Sequence, residues 1–205
     1  MKDFWNERYA EKEYSYGLEP NVFFKEQLDK LTPGRILLPA DGECRNGVYA
    51  AEKGWEVTAF DYSSSAKQKA IALAEMKGVD VDFQVADYAE IDFPENSFDV
   101  IAFIFAHFHP SQREDFFEKA LKWLKPGGHI IFEAFAPGHN EWQGKYPKVG
   151  GPRDPILFYS EEQLREYFEG MEFELLSTNV VELNEGTHHV GKGKVVRMIA
   201  RAGTI

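Results

Sequence analysis

Apolar and polar positions change period along this chain, and the changes mark out strands and helices in alternation. After Asn21, which can cap a helix, Phe24, Leu28 and Leu31 recur at helical spacing until Thr32-Pro33-Gly34 stops the run. A strand over residues 36–39 follows, then a helix over about 45–53 ending at Gly54, and a strand from Trp55 to Phe60. Ser65 to Lys77 predicts a helix, with Ser65 and Gln68 at capping-box spacing and Gly78 where a left-handed C-terminal residue belongs. Val81 to Ala86 is another short strand.

The stretch "FDVIAFIFAHF" (98–108) is almost continuously apolar and rich in aromatic and β-branched residues. It predicts a central parallel strand buried on both faces. "SQREDFFEKALKWL" (111–124) has an apolar stripe and a Ser111/Glu114 capping box, so it reads as a helix. Lys125-Pro126-Gly127-Gly128 turns the chain into the strand "HIIFEAF" (129–135). After a Gly/Pro-rich loop (136–155), Ser160 and Gln163 open another helix, and two strands, about 171–183 and 193–200, end the pattern with no helix between them. Alternating β and α with one late β–β pair predicts an α/β fold. The sheet is doubly wound, mostly parallel and seven-stranded, with an antiparallel edge strand, in a three-layer sandwich. No repeat or linker divides residues 1–205, so one domain is expected.

Charge narrows the partners. With 34 acids against 23 bases and a net charge of −11, the chain is poorly suited to neutralising a phosphate backbone. A small-molecule partner is expected instead of nucleic acid, with the protein a monomer or homodimer. No apolar run approaches the roughly 20 residues of a membrane span. The first residues lack a secretory pattern, and a single cysteine fits a reducing compartment, so the expected location is cytoplasmic.

Doubly wound sheets bind ligands at the carboxyl ends of their strands. The first such loop is "PADGECRN", where Gly42 lets the backbone approach a ligand and Asn46 begins a helix with free N–H groups. Asp61 ends the second strand, nineteen residues after Gly42, where a carboxylate can accept from two ribose hydroxyls. Asp87 follows the third strand, and Phe103 to His109 follow or end the fourth. Taken singly, Asp61 is equally a helix cap and Asp87 a turn acid; their shared position at strand ends favours one site. A dinucleotide would bring a pyrophosphate, which Asp41 and Glu43 repel. A cationic donor suits them, since unit charges ~4 Å apart attract by about 4 kcal/mol at an effective dielectric near 20.

The blocks "ILLPADGECRNGVYAAEKG", "VTAFDYS", "FQVADY", "FDVIAFIFAHF" and "LKPGGHIIFEAF" resemble those of class I S-adenosylmethionine-dependent methyltransferases over nearly the whole chain. The opening "FWNERYAEKEYSYGLEPNVFF" and the "RN" after the loop are similar to the small bacterial tellurite-resistance and thiopurine methyltransferase group. The resemblance implies S-adenosylmethionine as cofactor and a Rossmann-like core at 34–205 beneath an N-terminal helical lid at 1–33. It places Ala40, Asp41 and Gly42 at the methionine moiety, Asp61 on the ribose, and Tyr62, Asp87 and Tyr88 around the adenine. Phe103 to Phe105 would begin the acceptor wall, and Trp5, Tyr9, Tyr14, Gly17 and Pro20 would belong to the lid. Family loops usually read D-x-G-x-G-x-G; Leu38, Ala40 and Cys44 depart from it. Ala40 is tolerable with a negative φ, Cys44 reads as structural, and Asp41 and Glu43 can replace the missing acid.

Methyl transfer from a sulfonium needs proximity and alignment, and a general base only where the nucleophile arrives protonated. Candidates on the acceptor side are His107, His109, Glu133, His188 and Arg197. His107 and His109 alternate, so one of them would face the substrate; with no third ligand of suitable spacing, no metal is expected. Glu133, alone in an apolar strand, needs a cavity or a buried arginine partner. His139, Tyr159, His188 and His189 lie in loop-like segments, and "NEGTHHVGKG" (184–193) is either a plain hairpin turn or a cover for the acceptor. The expected function is methyl transfer to a small acceptor: a thiol, a metalloid oxyanion or similar. The alternatives are a non-catalytic adenosine-ligand-binding protein on the same fold and, against the acidic loop, a nicotinamide-dependent oxidoreductase.

Overall fold

The computed structural model describes residues 2–204. Seven strands form one sheet: β1 (Arg35–Pro39), β2 (Glu56–Asp61), β3 (Asp82–Val85), β4 (Phe98–Ile104), β5 (Leu124–Phe135), β6 (Glu172–Glu185) and β7 (His189–Arg201). Their spatial order is β3-β2-β1-β4-β5-β7-β6. The first five run parallel; β7 pairs antiparallel with both β5 and β6. The antiparallel pairing therefore lies at the β6 edge. The helices are α1 (Lys2–Ala10), α2 (Val22–Leu28), α3 (Arg45–Glu52), α4 (Ser64–Lys77), α5 (Pro110–Trp123), α6 (His139–Lys145) and α7 (Glu161–Tyr167).

Side chains alternate across the strands and so build a core on each face. Leu37, Ile101, Phe103 and Phe132 pack with Phe116 and Phe117 of α5 and with Leu164 of α7. Ile36, Leu38, Val57 and Ala59 pack with Phe24 and Leu28 of α2, Ala50 of α3 and Ala66 of α4. Burial of β4 on both faces is what its unbroken apolar run requires.

Several boundaries differ from the pattern-based ones, each for a local reason. Helix α4 is capped by Ser63, whose hydroxyl accepts the Ala66 N–H at 3.1 Å, and not by the Ser65/Gln68 pair. Asp61 takes the Ser63 N–H at 2.9 Å and fixes the turn two residues earlier. Pro110 opens α5 at a position that needs no N–H, so His109, not Ser111, is its N-cap. Strand β4 ends at Ile104, because Phe105 turns to φ 52° and its N–H crosses to the Glu133 carbonyl at 2.7 Å. The loop at 136–155 contains α6. The last two strands are longer than expected and leave only residues 186–188 as their turn.

Candidate active site

The carboxyl ends of β1, β2 and β4 open into a cavity of about 1220 Å³. Its roof comes from α1 and its far wall from the segment around α6 and the β6–β7 turn. Pockets for a single small ligand usually measure ~300–1,000 Å³, so this one has room for two. A second cavity, of about 320 Å³, lies near Trp55, Asp99 and Gly128, at the amino ends of the strands, away from this chemistry.

Asp61 sits at the end of β2 with its carboxylate buried. One oxygen accepts the Gly42 N–H at 3.2 Å and the other the Ser63 N–H at 2.9 Å. Burial pushes its pKa up to about 6 against those two bonds. Each oxygen keeps lone-pair capacity for further donors. Asp41 also lines the cavity, but its carboxylate accepts from Asn46 Nδ2 at 2.9 Å and the Gly47 N–H at 3.0 Å, at the start of α3. Burial raises it likewise, to about 6. Glu43 turns away from the cavity: it accepts the Ser15 N–H at 2.9 Å and pairs with Lys69 at 2.7 Å. The expectation that Asp41 and Glu43 jointly supply charge to the donor is corrected to Asp41 and Asp61.

Ala40, Asn46, Tyr62, Tyr88 and Phe105 line the same space. Ala40 has φ 53°, not the negative value expected of it. From α1, Trp5 stacks on Tyr9 with centroids 5.4 Å apart, and both face the cavity. A Cβ at Gly42 would overlap the Tyr9 hydroxyl, so glycine is what admits this lid residue. The donor set fits a cationic adenosyl ligand. Asp41 and Asp61 both line the cavity, and the buried cation beside them, Arg45, is neutralised by Glu185 at 2.9 Å.

Other candidates lie elsewhere. Phe103 is fully buried in the core beneath the sheet. Asp87 is exposed and accepts the Ala89 N–H at 2.9 Å, a turn acid outside the cavity lining. His109 is exposed, accepting the Ser111 N–H at 3.3 Å. Glu133 and Arg197 face each other across β5 and β7 and pair at 2.8 Å, so both are structural, away from the cavity.

His107 and His188 do line the cavity. Burial holds the His107 pKa down to about 3, so its ring is neutral. Its Nδ1 lies 3.2 Å from the Leu157 carbonyl, and its Nε2 is sealed from solvent without a partner. The structure adds residues that the strand-end argument missed, among them Arg8, Tyr16, Gln143 and His189. Only the Glu-x-x-x-His spacing at 185 and 189, straddling a glycine turn, carried a sequence signal for the last. Among the described residues, no group of three or more His, Cys, Asp or Glu can hold a metal ion, and no helix is long and apolar enough to cross a membrane.

Residues 36–128 match the family model of a methyltransferase domain. Phosphoethanolamine N-methyltransferase 3 of Arabidopsis thaliana is 31% identical over 117 residues, 56% of this chain and 24% of that protein. The ubiquinone/menaquinone biosynthesis C-methyltransferase UbiE of Azotobacter vinelandii is 37% identical over 65 residues, 32% of this chain and 26% of that protein. The chain thus spans about a quarter of the length of the curated relatives it matches. A structure solved for the conversion of a disulfide bond into a thioacetal group during echinomycin biosynthesis superposes with a TM-score of 0.80 at 19% identity, over 100% of this chain and 93% of that one. TehB from Haemophilus influenzae does so at 0.73 and 18% identity, over 98% and 66%. Both likenesses are of fold. Within this chain, then, residues 36–128 carry the pattern of a methyltransferase domain, and the chain as a whole shares the fold of those two structures.

Proposed function

We propose that the protein transfers the methyl group of S-adenosylmethionine to a heteroatom of a small acceptor bound beneath α1. The observation that carries this reading is Asp61, a buried carboxylate at the end of β2 with one N–H on each oxygen and capacity for more. In this reading Asp61 holds the ribose hydroxyls, and Tyr62 and Tyr88 flank the adenine. Ala40, Asp41, Gly42 and Asn46 surround the methionine moiety, and Trp5 and Tyr9 close over it as part of an N-terminal lid before the core. S-adenosylmethionine supplies an activated methyl carbon; the chain supplies alignment and a dry cavity.

The relatives are named for transfer to nitrogen in one case and carbon in the other, so their similarity follows the donor and leaves the acceptor open. The cavity wall around the histidines is Phe135 and neutral imidazoles; of the cations that line the cavity, Arg45 is taken up by Glu185, Arg8 is half-buried on the Tyr16 hydroxyl, and Lys148 and Arg153 are exposed. That wall supports an uncharged acceptor such as a thiol over a metalloid oxyanion, which would need buried cations. The net charge of −11 supports a small-molecule acceptor in place of nucleic acid, for a monomer or homodimer working in the cytoplasm.

The test is calorimetry with S-adenosylhomocysteine. Wild type binds, and Asp61→Ala weakens binding by about 1–3 kcal/mol, the cost of unpaired buried hydrogen-bonding groups. Unchanged affinity in the variant removes Asp61 from the ribose. Tight binding with no methylation of thiols, phenols or amines supports the non-catalytic alternative, which the non-glycine residues Ala40 and Cys44 at positive φ favour.

A further inference from the structure

The β6–β7 hairpin ends in a turn of Gly186, Thr187 and His188, and its register sets Glu185 opposite His189. Opposed residues of an antiparallel pair share a face, and His189 Nδ1 lies 3.0 Å from Glu185 Oε2. Arg45 Nη2 donates to the same oxygen at 2.9 Å, and Asn21 Nδ2 to Oε1 at 2.9 Å. Burial alone would raise the Glu185 carboxyl, but Arg45 and His189 outweigh it and hold it down at about 2. An ionised carboxylate only accepts hydrogen bonds, so Nδ1 of His189 carries the proton and the lone pair is left on Nε2.

That nitrogen has no protein partner, yet it is not among the side-chain atoms sealed from solvent, whereas His107 Nε2 is. Among the described residues, His189 is the cavity histidine whose second ring nitrogen is held by a carboxylate. Aromatic rings fix its plane: Phe105 at 4.6 Å, Tyr16 at 4.4 Å and Phe135 at 5.5 Å between centroids. Gly150 packs against the Cδ2–Nε2 edge, where any side chain would overlap the ring.

We propose that His189, oriented by Glu185, takes the proton of the methyl acceptor, and hence that the acceptor arrives as an O–H or S–H compound. This rests on the transferase reading above. As Nε2 takes the proton, the pair left on the acceptor heteroatom forms the bond to the methyl carbon. The carbon–sulfur pair leaves on sulfur, and the positive charge lost there reappears on the imidazolium beside Glu185. The step balances without a further reactant. Glu185 is a positioning residue, since it touches His189 and not the acceptor.

The charged and titratable groups around the ring are Glu185 of β6, Arg45 of α3, Tyr16 before α2, His188 of the turn, His139 of α6 and His107 after β4. Burial is the largest influence and, with Arg45 and His188, favours the neutral ring against Glu185. The resting histidine is therefore a free base. The rate should fall as pH drops through its pKa, below the ordinary histidine range.

Two experiments decide the matter. Nitrogen NMR of imidazole-labelled wild type should show His189 protonated on Nδ1 with Nε2 bare, and Glu185→Gln should weaken that preference. A proton resident on Nε2 overturns the proposal. S-adenosylhomocysteine formation is then followed against pH with 2-mercaptoethanol and catechol, both protonated near neutral pH, as acceptor probes. His189→Gln should lower kcat about 10²–10⁴-fold, abolish the acid limb and leave the S-adenosylhomocysteine affinity within twofold. Added imidazole should restore part of the rate to His189→Ala. A His189→Gln enzyme with undiminished kcat and the wild-type pH profile overturns the dyad, whereas wild type that fails to bind S-adenosylhomocysteine overturns the transferase reading itself.

Discussion

Ala40, Gly42 and Cys44 follow β1 with φ of 53°, 54° and 63°, every second residue in the left-handed region. There a Cβ crowds the following carbonyl at a cost of roughly 1–2 kcal/mol, which is why related loops carry glycine at these places. Cys44 offsets its strain by complete burial, and its sulfur fills the space that Gly47 leaves open. Ala40 is only half-buried, at the cavity wall, and its methyl gains less from the core it touches. Ala40→Gly should therefore stabilise the protein by about 1 kcal/mol, seen as a melting temperature about 2–4 °C higher; a lower one would show that the methyl packs usefully. The strain was hidden in the sequence, because residue type gives the cost of a conformation and not the conformation. Asp61 was legible, since it ends a strand whose turn its own carboxylate fixes. Asp87 was placed at a strand end just as well, yet its side chain folds back on Ala89. Position along a strand says where a residue emerges; it does not say where its side chain points.

Helix α2 depends on Asn21 for more than its start. The side-chain oxygen caps the helix at the Phe24 N–H (2.8 Å), while the amide nitrogen bridges Glu133 at 2.7 Å and Glu185 at 2.9 Å. Its own N–H goes to Asn46 Oδ1 at 2.9 Å, so α2, α3, β5 and β6 meet at one residue. Asn21→Ala loses a cap, ~1 kcal/mol, and leaves two buried carboxylates short of a donor, for a total near 2–4 kcal/mol in urea unfolding. Asn21→Asp keeps the cap acceptor but adds a third acid, so it should be no less damaging. A loss of only ~1 kcal/mol in both would reduce Asn21 to a cap. The cap was readable from the sequence, since asparagine before an amphipathic run has one local use. The bridge was not, because it needs β7 inserted between β5 and β6, an order that no local pattern encodes. The same insertion pairs Glu133 with Arg197 and takes both away from the cavity.

Across the whole molecule, the sheet order carries the last hairpin round to meet the N-terminal segment. The Thr187 N–H donates to the Ser15 carbonyl at 3.1 Å, Tyr16 packs on His189, and a side chain at Gly186 would overlap the backbone of residues 15–17. Segments far apart in sequence thus close opposite sides of one cavity. They are not equally anchored: Tyr9 is the single buried side chain among residues 3–10, so α1 is held by few apolar contacts and belongs to the low-stability end of the fold. Ligand filling the cavity should supply the contacts α1 lacks. Hydrogen exchange with and without S-adenosylhomocysteine should therefore slow most in residues 2–17, and with them in residues 184–190, because Ser15 and Tyr16 tie the two together. The strands of the core, closed to solvent in both states, should change least. If α1 gains protection while the hairpin stays unchanged, donor binding and acceptor wall are uncoupled. On the proposed reading, His189 would then be in place before the donor binds.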